Sequence, residues 1–345
     1  MEIAVVVNLN ARRGSEQFAA RARKTLTAAR VVATRSIDDL HRFLDASAHH
    51  GAPALVLSGG GDGTALGILD AMRSRELAFP ALGLVPLGTG NAWAHSTGAP
   101  SPRGVLELVS EVRARGERSL PTTNFSLIEV EGRLTPFAGA GWDSELLHDY
   151  KEQREATPAR FRPFVEGAGG YFVSLFGRTI PRNLRSRERP HVRVTNLGAP
   201  ALGFDARGGL VELPVGGPGA VLYEGPYGVT GAGTTMELGF GFKALHFART
   251  SPGRMHVRVY AASAAEATLR IASLWRGVHP LPHSHDFLLT ACRMDFDREV
   301  PVEIGGDVIG LRRSVEYRIA DQHVPVVDWT RVLGDSAGRA RGIGR

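Results

Sequence analysis

"LVLSGGGDGTALGILDAM", Leu55 to Met72, sets a short apolar run before three glycines, an aspartate, a fourth glycine and a threonine, then continues as an apolar-periodic segment. The order reads as buried strand, tight loop and helix. Gly59, Gly60, Gly61 and Gly63 allow close backbone approach. Such a loop can aim several N–H groups at a phosphate while the helix adds its positive end. An isolated carboxylate there would repel that phosphate. Asp62 therefore makes sense if it meets a divalent cation, a nucleotide hydroxyl or the hydroxyl being phosphorylated. The plain alternative is a tight turn with Asp62 as an exposed cap. Thr64 offers a hydroxyl donor or a helix cap.

A second strand-turn-helix unit follows at "LGLVPLGTGNAWAHSTGAP", Leu82 to Pro100, where Gly88, Thr89, Gly90 and Asn91 repeat the design. Two such loops side by side on a parallel sheet form one crevice. The surrounding segments fit that sheet. "IAVVVN" (Ile3 to Asn8) reads as a buried strand. The segment after Ser15 reads as a helix, with Phe18, Ala22, Leu26 and Ala29 along one face. Ser36 and Asp39 have capping-box spacing at the start of another helix, which closes before Gly51. Ser101, Pro102 and Gly116 mark the start and stop of a third. Strands separated by single helices predict a Rossmann-like α/β domain with a parallel sheet, residues 1–121.

After Thr122 the texture becomes β-rich. "NFSLIEVEGRLTPFAGAG" predicts a hairpin turning at Glu131 and Gly132, and further strand-like segments follow as far as "VPVEIGGD". Residues 122–331 are expected to form a β-sandwich-like domain with a helical insertion at about 144–179. Residues 332–345, glycine-rich and basic, read as a disordered or loosely docked tail.

With 345 residues, 43% of them hydrophobic, the chain has material for two domains with their own cores. It has no run of eighteen apolar residues, and "MEIAVVVN" lacks the regions of a signal peptide, so a soluble, cytoplasmic protein is expected. The single cysteine, Cys292, reads as a buried structural thiol. The net charge of +6 favours anionic partners without choosing among nucleotide, nucleic acid and membrane. No helix-turn-helix, zinc spacing or aromatic RNA-binding signature accompanies that charge, so no nucleic-acid partner is expected. His279, His283, His285 and Asp286 cluster in "HPLPHSHD", but their spacing fits no helical pair and the prolines indicate a loop rather than a metal site. "RFRPFVEGAGGYFVSLFGRTIPR", Arg160 to Arg182, mixes aromatics with arginines. It reads either as a helix packed on the β-rich domain or as a surface lying against lipid head groups.

At the paired loops the sequence resembles the diacylglycerol kinase catalytic-domain family, which includes sphingosine and ceramide kinases and bacterial lipid kinases. That family carries G-G-D-G-T and then P-x-G-T-x-N, matched here by "GGDGT" (Gly60 to Thr64) and "PLGTGN" (Pro86 to Asn91). "VVVNLNARRGS" is similar to the family's first strand and its nucleotide-side asparagine, here Asn8, although Leu9 replaces the usual proline. "FAGAGWDSELL" resembles its G-x-G-x-D segment on Gly139, Gly141 and Asp143, and "VEIGGDVIG" takes the place of its D-G-E turn.

The resemblance implies ATP and Mg²⁺ as cofactors, an active site in the crevice between the two domains, and transfer of the γ-phosphate to a lipid hydroxyl. It implies nucleotide contacts at Asn8, Gly59, Gly60, Gly61, Gly63, Thr64, Gly88, Thr89, Gly90 and Asn91. Asp62 and Asp307 become the candidate catalytic residues and, with Asp143, the candidate metal ligands. A lipid substrate, transient contact with an anionic membrane surface on the inner face, and a homodimer fit the same picture. The sequence departs from the family at three acidic positions as well. Gly305 stands where the family has its proposed catalytic aspartate, leaving Asp307 on the glutamate; Gly67 and Ala92 replace two further acidic positions. Two other readings therefore stay open: a catalytically weak or silent nucleotide- or lipid-binding relative, and an NAD kinase, against which the form of "PLGTGN" argues.

Overall fold

β1 (Ile3–Asn8) is buried along almost its whole length, as a strand covered on both faces should be. It pairs in parallel with β2 (Arg30–Thr34) on one side and β3 (Leu55–Gly60) on the other. β4 (Ala81–Pro86) pairs in parallel with β3, giving the order β2-β1-β3-β4. The structure, a computed structural model, describes residues 1–50, 53–89, 91–158, 161, 170, 173–174, 177–178, 180–185, 189–238 and 241–342. β2 is the strand that sequence patterning missed. It is a half-buried edge of five residues following helix α1 with no Gly or Pro to announce it.

The helices start where their caps dictate. α1 (Glu16–Thr25) opens with Ser15 Oγ accepting from the Phe18 N–H at 3.1 Å. α2 (Ile37–His50) carries the expected reciprocal box: the Asp39 N–H donates to Ser36 Oγ at 3.2 Å, and the Ser36 N–H to Asp39 Oδ2 at 3.1 Å. α3 (Asp62–Arg73) and the short α4 (Ala92–Ser96) follow the two glycine loops. α5 (Pro102–Ala114) starts at the Ser101 cap with Pro102 in its first turn.

The chain forms two compact units, Met1–Phe125 together with Gln322–Arg345, and Ser126–Asp321. The C-terminal segment thus belongs with the first unit. The tail expected to be disordered or loosely docked is helical as far as Gly342: α10 spans Trp329–Gly342. Trp329 and Val332 are buried in the core formed by β1, β3, α1 and α5. Asp328 caps the helix by accepting from the Arg331 N–H at 3.0 Å. Burying an indole outweighs the weak helix propensity of a glycine-containing segment.

The second unit is antiparallel. β5 (Thr122–Val130) and β6 (Arg133–Thr135) form the expected hairpin, with Glu131 and Gly132 both at positive φ. The other strands are β7 (Phe137–Gly141), β8 (His191–Asn196), β9 (Leu202–Phe204), β10 (Leu210–Glu212), β11 (Val221–Pro226), β12 (Val229–Gly233), β13 (Met255–Tyr260), β14 (Ser284–Leu289), β15 (Ala291–Ile304) and β16 (Asp307–Val327). They run in the order β10-β9-β14-β13-β12-β7-β15-β16, with β8 pairing β15 and β11 pairing β8. β15 bends to serve two neighbours. It pairs with β8 through Cys292–Phe296, loses register between Asp295 and Val300, then pairs with β7 through Val302–Ile304. The strands close around one apolar core that includes Val194, Val257, Met294 and Tyr317.

Of the insertion expected at about 144–179, α6 (Trp142–Ala156) is helical and most of 159–179 lies outside the described residues, including Arg160, Phe164, Tyr171, Phe172, Leu175 and Phe176; α7 (Ile180–Arg185) follows it. Phe161 is described and exposed. Two short helices, α8 (Ala264–Leu269) and α9 (Ile271–Arg276), complete this unit. No helix among the described residues is long and apolar enough to cross a membrane.

The loop expected at "HPLPHSHD" runs from His279 to His283 and ends there, since His285 and Asp286 lie within β14. Asp286 faces inward, where it accepts from Arg258 Nε at 2.6 Å and from His256 Nε2 at 2.9 Å. His283 instead faces Glu266 at 3.2 Å, and His279 Nε2 donates to the Asp205 carbonyl at 2.8 Å. The four residues serve different contacts. Burial pushes the Cys292 thiol well above its usual range, in keeping with an inert core residue.

Candidate functional site

The first glycine loop is shaped by what a side chain would hit. A Cβ on Gly59 would lie 2.9 Å from the Val6 carbonyl oxygen, and one on Gly60 would collide with the Thr64 side chain. Gly61 is the N-cap of α3, in extended conformation, and no side chain caps the helix. The first turn of a twelve-residue helix therefore presents its N–H groups beside backbone that carries no Cβ. Asn8 Nδ2 donates to Thr64 Oγ1 at 2.9 Å, tying the end of β1 to this loop and leaving the threonine's own hydroxyl proton for another acceptor.

The second loop is stitched to the first. The Gly60 carbonyl accepts from the N–H groups of Leu87 and Gly88, each at 3.0 Å. Gly88 lies directly against Gly61, so a Cβ on it would collide with the Gly61 backbone. Asn91 is in the left-handed region, at φ 50°. Its Oδ1 accepts from the Gly88 N–H and its Nδ2 donates to the Gly88 carbonyl, both at 2.9 Å. Thus Asn8 and Asn91, expected at ribose or phosphate, are engaged in holding the loops. Thr89 is exposed; Gly90 lies outside the described residues.

Asp62 bridges the pair. Its Oδ2 accepts from the Ala92 N–H at 2.8 Å and its Oδ1 from the Trp93 N–H at 3.1 Å. It supplies α4 with the cap that Asn91 does not make. Trp93, fully buried against Phe125 at a ring separation of 5.3 Å, anchors that helix. Burial pushes the Asp62 carboxyl up to about 6, against the pull of the Trp93 and Ala92 N–H groups and of His95. The carboxylate in the loop is neither a plain exposed cap of its own helix nor a bare charge.

In the second unit, Asp307 is exposed and opens β16 after a two-glycine turn. α6 begins at Trp142, one residue before Asp143, whose side chain lies outside what is described. Gly139 and Gly141 lie in β7, and Gly141, at φ 113°, packs on the Gly228 carbonyl. Sequence reasoning passed over Glu303, which is buried in β15 two residues before Gly305. Strand alternation places it on the face opposite Val302 and Ile304, and that is the signal a closer reading would have used.

This geometry has known counterparts. Residues 2–122 match the model of the diacylglycerol kinase catalytic domain. Over these residues the chain is similar to that family of lipid kinases. Mouse diacylglycerol kinase theta is 28% identical over 194 residues, covering 49% of this chain and 20% of that protein. "Probable lipid kinase YegS" of Salmonella arizonae is 43% identical over 63 residues, covering 18% of this chain and 21% of that protein. The matches thus span only about a fifth of the length of these curated relatives. A diacylglycerol kinase from Bacillus anthracis superposes with a TM-score of 0.61 at 13% identity, over 94% of this chain and 96% of that one. An NAD kinase from Archaeoglobus fulgidus, solved with ATP, gives 0.50 at 11% identity, over 99% of each chain. The structural likenesses show a shared fold: a parallel α/β region followed by a mostly antiparallel one.

Proposed function

We propose that the protein is an ATP-dependent lipid kinase that transfers the γ-phosphoryl group of ATP to the hydroxyl of diacylglycerol or a related lipid. The observation that carries this reading is the uncapped start of α3, set behind glycines that admit a phosphate chain to its N–H groups. ATP supplies the phosphoryl group and Mg²⁺ the counter-charge; the protein's part is positioning and electrostatics. Gly59 to Gly61 and Gly63 give the backbone cradle, Thr64 donates its hydroxyl, and Gly88 to Asn91 complete the nucleotide side. Asp62, Asp307 and Asp143 are the acidic groups proposed to hold the cation. Asp307, exposed to an incoming acceptor, is the proposed proton acceptor for the lipid hydroxyl. The net charge of +6 favours transient contact with an anionic membrane surface on its cytoplasmic side.

A second reading, nucleotide binding with little turnover, is favoured by two observations. Gly305 brings no carboxylate to its turn, and both Asp62 oxygens already accept N–H bonds. Radiolabelled ATP with a total lipid extract, followed by identification of the labelled product, separates the readings. A labelled lipid supports the kinase. ATP binding without a product on any lipid supports the second reading, and labelled NADP from added NAD would replace both. Failure to bind ATP would remove the nucleotide site altogether.

A further inference from the structure

Asp307 follows a turn that has almost no stiffness of its own. Gly305 and Gly306 are both at positive φ, 60° and 91°, between Ile304 and Asp307, which pair across the hairpin. Two contacts fix this tip. The Gly305 N–H donates to the Phe137 carbonyl of β7 at 3.0 Å, and the Gly306 N–H donates to Glu303 Oε2 at 2.7 Å. Glu303 itself is 1% exposed. It pairs with Val308 on one side and on the other with Gly139, which brings no side chain. Gly139 is in turn tied to α6, because the buried Ser144 Oγ donates to its carbonyl at 3.1 Å.

Burying a carboxylate is costly, and a two-glycine turn closes a hairpin without one. The geometry points to Glu303 as a positioning residue: its carboxylate holds the Gly306 N–H back onto β15, beside the bond that the Gly305 N–H makes to β7, and so fixes the direction in which Asp307 is presented. This rests on the kinase reading for its consequence, though not for its geometry. On this proposal Glu303 acts through Asp307.

The test compares Glu303→Ala, Glu303→Gln and Asp307→Asn in the full chain. Glutamine keeps an oxygen for the Gly306 N–H, whereas alanine removes it. In Glu303→Ala, amide exchange at Gly306 should rise about tenfold and kcat should fall by a similar factor, with ATP affinity unchanged. Glu303→Gln should recover most of both. The double variant Glu303→Ala with Asp307→Asn should be no slower than Asp307→Asn alone. Wild-type exchange at Gly306 in a folded Glu303→Ala, or fully additive losses in the double variant, would overturn the proposal. Should Glu303→Ala not fold, Glu303→Met, of similar length, carries the same comparison. A wild type that transfers no phosphate to lipid would sink the kinase reading instead. Exchange at Gly306 would still decide whether Glu303 holds the turn.

Discussion

At the scale of single residues, Asp62 shows how much a carboxylate's role depends on its neighbours. From its motif it is a group for cation or proton; in the fold it joins two loops through the N–H groups of Ala92 and Trp93. Asp62→Asn turns one of those acceptors into a donor facing an N–H. Hydrogen bonds to charged groups are worth about 1.5–3 kcal/mol, so the variant should melt measurably lower as well as turn over more slowly. An unchanged melting temperature would show that the bridge carries no weight. Gly67 gives the opposite sign. It lies inside α3 at ordinary helical φ, and nothing stands within 4 Å of a Cβ built there. Gly67→Ala should therefore stabilise the protein by about 0.5–1 kcal/mol in denaturant unfolding, and a loss would mean an unseen clash.

At the scale of elements, the adjacent strands β13 and β14 hold a buried polar network. Arg258 donates to Asp286 and, through NH2, to His246 Nδ1 at 3.0 Å, while His256 lies beside them fully buried. Burial, with the nearby positive charge of Arg258, pushes the His246 imidazole down from 6.5 to about 3. Burial lowers His256 as well. Between about pH 3 and 6.5 the unfolded chain therefore takes up a proton at His246 that the folded protein refuses. Its contribution to stability is complete above about pH 6.5 and declines as pH falls through that window. His246→Asn keeps an acceptor for Arg258 and removes the titration. Melting curves of wild type and variant should converge as pH drops from 7.5 toward 4.5, and parallel curves would refute the assignment. This network was hidden in the sequence. Its members come from three separate segments, and period-two alternation does not reveal which polar residue on a strand finds a partner on its neighbour or in a preceding loop.

At the scale of the whole molecule, α10 ties the C-terminus into the first unit. Trp329 is fully buried, its ring 3.2 Å from where a Cβ on Gly83 would stand, and its backbone N–H donates to the Thr97 carbonyl at 3.1 Å. Trp329→Ala should cost about 3–5 kcal/mol, as other large core deletions do, and a loss below about 1 kcal/mol would mean that α10 is only loosely docked. Local patterning carried most of the architecture. The apolar runs of β1, β3 and β4, the caps at Ser15, Ser36 and Ser101, and the turn at Glu131–Gly132 are written in adjacent residues, because caps, turns and periodicity are short-range effects. The glycines at 59–61 and 88 were likewise legible, since only glycine fits where two backbones meet. Contacts between distant segments were not. The cap that Asp62 gives α4, the withdrawal of Asn8 onto Thr64 and the burial of Trp329 each join residues far apart in the chain. Such pairings are chosen by which groups folding leaves unsatisfied in the interior, and no local pattern encodes that choice.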